Sequence, residues 1–278
     1  MSDEAGRITR EVLQAAQGGA PVALATVIRA PDGASPAAGA RLLVRAAGPR
    51  LGSLGAGALE EAVAADAHAA LTRRPRSRVE ALFYAQDGSR VRRVDAGQGE
   101  FEVMVEVTER PATLLIVGGG HVGQSIAYIA AHVGFSVAVL DDRAAFANEE
   151  RFPMADHVIC GDFTEELRRF PIDQATYIVL VSRGHKQDET ALREVVRSDA
   201  AYVGMIGSRR RVSTVLSHLA REGYAKEALE RVHTPIGLDI GAETPEEIAV
   251  SVIAEIIAVR RGGTGGKMLA HQRPRIRD

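Results

Sequence analysis

The stretch LLIVGGGHVGQ, residues 114–124, is the clearest indication of the fold in this sequence. Gly118, Gly120 and Gly123 form a Gly-x-Gly-x-x-Gly pattern between an apolar run and a helical pattern. In that context the glycines permit a tight turn, close approach of the backbone to a phosphate, and tight packing of helix on strand. The next apolar run ends in Asp141, 18 residues after Gly123, where a carboxylate can accept hydrogen bonds from an adenosine ribose. The stretch predicts binding of a nucleotide or a nucleotide-like ligand, and a Rossmann fold whose site holds nothing is the alternative.

Short apolar strands and helices alternate on both sides of this loop, from residue 113 to residue 223. Strands made almost wholly of Val, Ile and Leu indicate a parallel sheet covered by helices on both faces. Residues 1–108 instead suggest a helix, a strand pair around PDGASPAAG, an Ala-rich helix and two more strands. The predicted fold class is therefore α/β, a Rossmann-like doubly wound parallel sheet preceded by a smaller α+β domain. The predicted domains are 1–108 and 113–262, followed by a flexible, glycine-rich and basic tail at 263–278.

Composition disfavours several classes of protein. The chain has 278 residues, 46% of them hydrophobic, and a net charge of −2, so it can bury a core but has no basic excess for nucleic acid. It shows no signal pattern and no apolar run near the roughly 20 residues that span a bilayer. We expect a soluble cytoplasmic protein that contacts neither nucleic acid nor membrane. The single cysteine, Cys160, excludes an internal disulfide, and no histidine or carboxylate pattern indicates a metal site.

Two polar segments follow apolar runs further along the chain. TYIVLVSRGHKQDE spans residues 176–189 and MIGSRRR spans residues 205–211. In a doubly wound sheet, ligands bind beyond the carboxyl ends of the strands, where helix amino termini point their N–H groups outward. Both segments should therefore face the crevice of the glycine loop, and their basic residues indicate an anionic ligand. A solvated turn and an ordinary exposed helix face are the alternatives.

The candidate site is assembled from these segments. His185 is the candidate acid or base, and Ser208 is a candidate helix N-cap. Asp142 and Arg143, which follow Asp141, are interpreted as supporting or merely exposed residues. No metal ligand is assigned. The predicted binding residues are Gly118, Gly120, His121, Gly123, Asp141, Arg183, Gly184, Lys186, Asp188, Gly207, Ser208 and Arg209.

Other residues receive structural interpretations. Thr244, Pro245 and Glu247 predict the start of a helix with a capping box, after a loop rich in Gly and Pro. Cys160, at a predicted strand end, is expected to be small, buried and apolar in role. Four histidines are expected to be hydrogen-bonded structural residues. These are His68, His132, His157 and His218.

The carboxyl-terminal motifs resemble a known family. VGGGHVG, DDR, SRGHKQD, YVGMIGSRRR and HTPIGLDIGAETPEEIAVSVIAEI are similar, in order, to the Rossmann domain of the XdhC/CoxI family of xanthine dehydrogenase accessory proteins. The resemblance implies a chaperone that binds molybdenum cofactor (molybdopterin), protects it while its terminal sulfur is installed, and delivers it to a molybdenum hydroxylase. The implied partners are a client such as xanthine dehydrogenase and a cysteine desulfurase, and a homo-oligomer is expected.

The amino-terminal segments resemble the family more loosely. In PDGASPAAG the family's basic residue after Pro36 is missing. GSLGAGALEE keeps Gly57 and Glu60 of a Gly-Gly-Cys-x-Glu motif, but Ala56 and Ala58 stand where a glycine and the cysteine are expected. A thiolate is the soft ligand that molybdenum or a sulfur-transfer step would use, so we expect no direct ligation of the metal by this segment.

Two further functions stay open. A nicotinamide-dependent oxidoreductase, with NAD or another dinucleotide as cofactor, is compatible with the glycine loop, Asp141 and His185. A nucleotide-sensing regulatory module is compatible with Asp141 and the Gly161–Asp162 pair, because a Rossmann unit can bind a dinucleotide without chemistry.

Overall fold

A computed structural model describes residues 2–55, 57–73, 79–97 and 99–266. The chain divides into two compact units, Met1–Arg110 and Pro111–Asp278. Ala56 lies outside the described residues. Residues 267–278, which are most of the predicted tail at 263–278, also lie outside them.

The amino-terminal unit is an antiparallel sheet with a helix on each face. Its strands lie in the order β3-β2-β1-β6-β4-β5, and every pair is antiparallel in the part of the unit that is described. Strands β3 and β5 are too short for sequence periodicity to reveal. The elements are α1 (Ser2–Ala16), β1 (Val22–Arg29), β2 (Arg41–Arg45), β3 (Leu51–Ser53), α2 (Ala58–Thr72), β4 (Val79–Tyr84), β5 (Arg90–Val91) and β6 (Phe101–Thr108).

Alternation along β1 and β2 divides the side chains of this sheet between its two helices. Val22 and Leu43 pack with Ile8 of α1, whereas their neighbours Ala23 and Leu42 belong to the core under α2. Successive side chains of a strand point to opposite faces, so both faces of the sheet are buried.

The carboxyl-terminal unit is a parallel sheet in the order β12-β11-β10-β7-β8-β9. This is the doubly wound strand order, and it confirms the predicted fold class. The order reverses between β7 and β10, which places the binding crevice of such folds beyond the ends of these two strands. The elements are β7 (Thr113–Val117), α3 (His121–His132), β8 (Ser136–Asp141), β9 (His157–Cys160), α4 (Phe163–Arg169), β10 (Thr176–Leu180), α5 (His185–Val195), β11 (Tyr202–Met205), α6 (Arg209–Arg221), α7 (Lys226–Glu230), β12 (Val232–His233) and α8 (Pro245–Arg261).

Strand β7 shows why the parallel strands are apolar throughout. Leu115 and Val117 lie in the core under α4, α5 and α6, and Leu114 and Ile116 lie in the core under α3 and α8. All four side chains have no exposed surface. A strand covered on both faces has no solvent-facing position, so its sequence does not alternate between apolar and polar residues.

The start of α8 agrees with the capping prediction. The Thr244 hydroxyl accepts a hydrogen bond from the Glu247 backbone N–H, and the Glu247 carboxylate accepts one from the Thr244 N–H. Pro245 occupies the first turn. Among the described residues, no helix is both long enough and apolar enough to cross a bilayer.

We predict that two glycines of the same motif differ in what they contribute to stability. A Cβ at Gly123 would overlap the carbonyl oxygen of Gly118, whereas a Cβ at Gly120 has no atom within 4 Å. Gly123→Ala should therefore lower the free energy of unfolding by about 1–3 kcal/mol through overpacking. Gly120→Ala should change it by less than about 0.5 kcal/mol. Urea unfolding checks this, and equal midpoints for the two variants would contradict it.

Candidate functional site

Gly118 joins the ends of three strands. Its φ of +121° lies in the region that favours glycine, and a Cβ there would be 2.6 Å from the carbonyl oxygen of Val181. Its N–H donates to the carbonyl oxygen of Leu140 at 2.8 Å. The glycine loop is thus packed between the ends of β8 and β10.

The next two glycines have different surroundings. A Cβ at Gly119 would overlap the carbonyl oxygen of Phe146, whereas Gly120 borders open space. Gly120 is the N-cap of α3, and no side chain caps this helix start. The first N–H groups of a helix have no partner within the helix, so the start of α3 offers hydrogen-bond donors at an open surface. His121, the first residue of α3, is exposed there.

Asp141 holds the loop from the end of β8. Its Oδ2 accepts from the Gly119 N–H at 2.8 Å and from Arg143 Nη2 at 3.0 Å. Its Oδ1 accepts from the backbone N–H and the Nε of Arg143 at 3.1 and 2.8 Å. Burial raises the pKa of the Asp141 carboxyl, but the hydrogen bonds from Arg143 and Gly119 outweigh it and hold the pKa below the ordinary value.

Two arginines flank Phe146 beside this loop. The Arg143 guanidinium carbon lies 3.6 Å from the centre of the Phe146 ring. Arg151 Nε donates to the carbonyl oxygen of Gly119 at 2.9 Å. Arg151 Nη2 is buried and has no hydrogen-bond partner among the residues described. The sequence prediction gave Arg143 only a supporting or exposed role and did not identify Arg151, which comes from the segment between β8 and β9.

The loop after β10 is organised by Asp188. This side chain has no exposed surface, and its Oδ1 accepts from the backbone N–H and the hydroxyl of Ser182 at 3.0 and 2.5 Å. Its Oδ2 accepts from Arg211 Nη2 at 2.5 Å. The structure therefore places Asp188 in the interior, where it ties α5 to α6, rather than on the surface of the crevice.

Three predicted cations are exposed near the carboxyl edge of the sheet. Arg183 is 48% exposed and donates to Asp142 Oδ2 at 3.0 Å. Lys186 and Arg209 lie in the first turns of α5 and α6 and are exposed. Of the consecutive arginines in α6, Arg211 is the one that turns inward, which the sequence did not reveal.

The first turns of α5 and α6, which follow β10 and β11, have different caps. Gly184 is the N-cap of α5 and no side chain caps this helix; the side chain of His185, the candidate acid or base, lies outside the described residues. Gly207 has a φ of +157°. Ser208 is the N-cap of α6, as predicted, and its hydroxyl accepts from the Arg211 N–H at 3.3 Å.

The expected burial of Cys160 is wrong. Cys160 is exposed, because β9 is the edge strand and Cys160 is its last residue. Asp162 caps α4, and its Oδ1 accepts from the N–H groups of Thr164 and Glu165. Asp162 of the Gly161–Asp162 pair thus has a structural role at this helix start.

A cluster that sequence analysis missed lies around Glu255 of α8. Its Oε2 accepts from the Tyr202 hydroxyl at 2.6 Å and from the Gly237 N–H at 2.7 Å, and its Oε1 lies 3.3 Å from His233 Nδ1. The rings of Tyr202 and His233 stack with centres 4.4 Å apart. Burial raises the pKa of Glu255, but the hydrogen bonds from His233 and Tyr202 lower it below its ordinary value. The available signal was a single charged residue within the otherwise uncharged residues 248–259 of α8.

Two segments of the amino-terminal unit resemble the family, PDGASPAAG and GSLGAGALEE, and they lie next to each other. A Cβ at Gly55 would lie 3.2 Å from Ser35 Oγ. Glu60 Oε2 accepts from Ser53 Oγ and from the Leu54 N–H at 2.6 and 2.7 Å, which fixes the turn into α2. No group of three or more metal-ligating side chains that could hold an ion occurs within the described ranges.

Family models match both units. The model described as the XdhC Rossmann domain matches residues 114–256, and the model of the XdhC and CoxI family matches residues 15–84. The first match alone spans half of the chain and includes the glycine loop, Asp141, Asp188 and Arg209.

Three curated relatives are similar to the chain. Uncharacterized protein YqeB of Escherichia coli (strain K12) is 34% identical over 91% of this chain and 46% of its own length. A protein of Bacillus subtilis (strain 168), named as a probable xanthine dehydrogenase subunit, is 35% identical over 57% of the chain and 46% of its own length. Molybdenum cofactor insertion chaperone PaoD of Escherichia coli (strain K12) is 25% identical over 56% of this chain and 42% of its own length. The chain thus spans about half the length of these relatives.

A solved structure supports the fold. The crystal structure of a xanthine dehydrogenase from Bacillus halodurans superposes with a TM-score of 0.52 at 19% identity, covering 95% of this chain and 97% of that one.

We predict an acid-dependent effect of Asp141→Asn. Since the folded-state pKa of Asp141 is lowered, its charge stabilises the fold above the unfolded pKa of about 3.9. This stabilisation is lost as the pH falls through the folded-state pKa. The variant should lose about 2 kcal/mol at pH 7, and the difference from the unchanged protein should shrink below about pH 4. Urea midpoints across pH check this.

The matched control is Asp239→Asn, which changes an exposed carboxylate. A deficit of the Asp141→Asn protein that stays constant down to the acid limit would contradict a stabilising charge at this position.

Proposed function

Because the chain belongs to the XdhC/CoxI family, we propose that it binds molybdenum cofactor as cargo. We further propose that it assists sulfuration of this cofactor and its insertion into a molybdenum hydroxylase of the xanthine dehydrogenase type. The cargo is a pterin that carries a phosphate, so its binding site needs donors for an anion and a surface for the ring.

The open start of α3 is the observation that carries this proposal. Gly120 borders open space and no side chain caps the helix. Backbone N–H groups and the helix dipole together favour a phosphate at such a position. Arg183, Lys186 and Arg209 are exposed in the segments after neighbouring strands, and their charge complements an anion.

The available donors fit a cargo held by its phosphate better than one held by its metal. The described residues contain no cluster of metal-ligating side chains, and Ala58 stands at the position of the family's cysteine. Cys160, the only cysteine of the chain, is exposed at the end of edge strand β9, two strands away from β7 and its glycine loop. We therefore propose that no protein sulfur coordinates the molybdenum, and that the amino-terminal unit contributes no thiol to sulfuration.

The names of two relatives support the choice of cargo and partners. One is called a molybdenum cofactor insertion chaperone and the other a probable xanthine dehydrogenase subunit. We propose a molybdenum hydroxylase as the client, a cysteine desulfurase as the source of sulfur, and a homo-oligomer as the working form. Co-purification of a hydroxylase with the tagged chain from its native cell tests the client.

The glycine loop supplies the most direct variant. Gly120→Val should remove bound pterin, because the added side chain fills the space in front of the α3 donors, and it should leave the fold intact. The measurement is the molybdopterin content of protein purified from a cofactor-producing host, read as its fluorescent oxidation product. The matched control is Gly6→Val, since Gly6 of α1 also has no atom within 4 Å of an added Cβ. Pterin retained by Gly120→Val would contradict this site.

Lys186 and Arg209 should act on one phosphate. Lys186→Ala and Arg209→Ala should each weaken binding of the cofactor, and their combined effect should be smaller than the sum of the single effects. A double-mutant cycle by calorimetry measures this. Lys226→Ala, in α7, removes an exposed charge elsewhere and is the control. Strictly additive losses would show that the two cations do not share a ligand group.

A further inference from the structure

The end of β8 is where a doubly wound fold contacts the ribose of a dinucleotide. The carboxylate at this position accepts hydrogen bonds from the ribose hydroxyls. Asp141 occupies the position in this chain, as the last residue of β8. Whether the crevice accepts a nucleotide therefore depends on what Asp141 contacts.

The acceptor capacity of Asp141 is already filled. A carboxylate offers about four lone-pair sites, and Asp141 accepts four hydrogen bonds, three from Arg143 and one from Gly119. The residue is 1% exposed. A ribose diol would find neither an open lone pair nor a path to the carboxylate.

Arg143 is held in this position from more than one side. Its guanidinium stacks on Phe146 and lies 3.6 Å from Asp142 Oδ1, and the side chain is 26% exposed. Moving it away would leave Asp141 buried without its charged partner, which proteins tolerate poorly. A ribose would have to displace the arginine at this cost.

The second carboxylate at the same strand end is engaged as well. Asp142 Oδ2 accepts from Arg183 Nη2 at 3.0 Å. Arg183 follows β10 and Asp142 follows β8, and these two strands flank β7 with its glycine loop. The surroundings of the loop thus present N–H groups and cations, and their acidic acceptors are used internally.

We propose that Arg143 is a specificity-determining residue that closes the ribose position, so that the crevice takes a phosphate monoester without an adenosine ribose and rejects NAD and related dinucleotides. This inference rests on the proposed function, since it concerns the same crevice at the start of α3. It also distinguishes a cofactor chaperone from an oxidoreductase or a nucleotide sensor, both of which need the ribose contact.

The test compares ADP with 2′,3′-dideoxy-ADP by calorimetry, because the two probes differ only in the ribose hydroxyls. The unchanged protein should bind both probes only weakly and should not distinguish them, with affinities within about twofold. Arg143→Met keeps an unbranched apolar side chain against Phe146 but frees Asp141, so it should bind ADP at least about tenfold more tightly than the dideoxy probe, a difference that corresponds to about 1.4 kcal/mol. Adding Asp141→Asn to this variant should abolish the distinction.

Two results would overturn the inference. One is a tenfold preference for ADP in the unchanged protein, which would show that the ribose is already recognised. The other is an Arg143→Met protein that folds but either binds neither probe or does not distinguish them. Arg143→Ala provides the same comparison if the methionine variant does not fold. Failure of the proposed function has a different readout, namely absence of pterin from the purified protein.

Discussion

The Asp141 carboxylate is the contact on which the arrangement of the crevice depends. It joins the glycine loop, through the Gly119 N–H, to the end of β8 and to Arg143. Gly118 then packs on Val181 at the end of β10, and Gly123 packs on Gly118. Because these contacts leave no room for side chains, α3 starts close to the sheet and its first N–H groups open to the crevice. Asp141, at the strand end where the fold contacts a ribose, therefore has a structural role.

Asp188 is a second buried carboxylate, and it holds the backbone in place on the other side of the crevice. Asp188 accepts hydrogen bonds from Ser182 and Arg211, and so couples the loop after β10 to the start of α6. Hydrogen bonds to a charged group are the stronger kind, and here they are shielded from water. The exposed cations, Lys186 and Arg209, are consequently carried on helix starts with defined positions.

Much of the fold could be predicted from the sequence, because apolar periodicity and glycine spacing are local signals. The parallel sheet with helices on both faces, the glycine loop and the capping box of α8 follow from such signals. The short strands β3, β5 and β12 could not be predicted, since two or three residues carry no periodicity.

The site was predicted less completely, because a one-letter pattern does not show which way a side chain turns. The sequence places Asp141 at the correct strand end and Arg209 at the correct helix start. It assigns Asp188 to a loop that faces the crevice, whereas Asp188 is a buried residue of α5. It does not show that Arg143 covers Asp141, that Arg211 and not its neighbours turns inward, or that edge-strand Cys160 is exposed. These depend on contacts between residues distant in sequence or on competition between adjacent side chains.

The proposed function requires a phosphate-bearing pterin at the start of α3. Crystals of the cofactor-loaded protein, measured above and below the molybdenum absorption edge, test it most directly. We expect one anomalous peak in the carboxyl-terminal unit, with phosphate density within hydrogen-bond distance of the N–H groups that follow Gly120. A molybdenum peak at the amino-terminal segment around Ala58, with the start of α3 free of phosphate density, would contradict it.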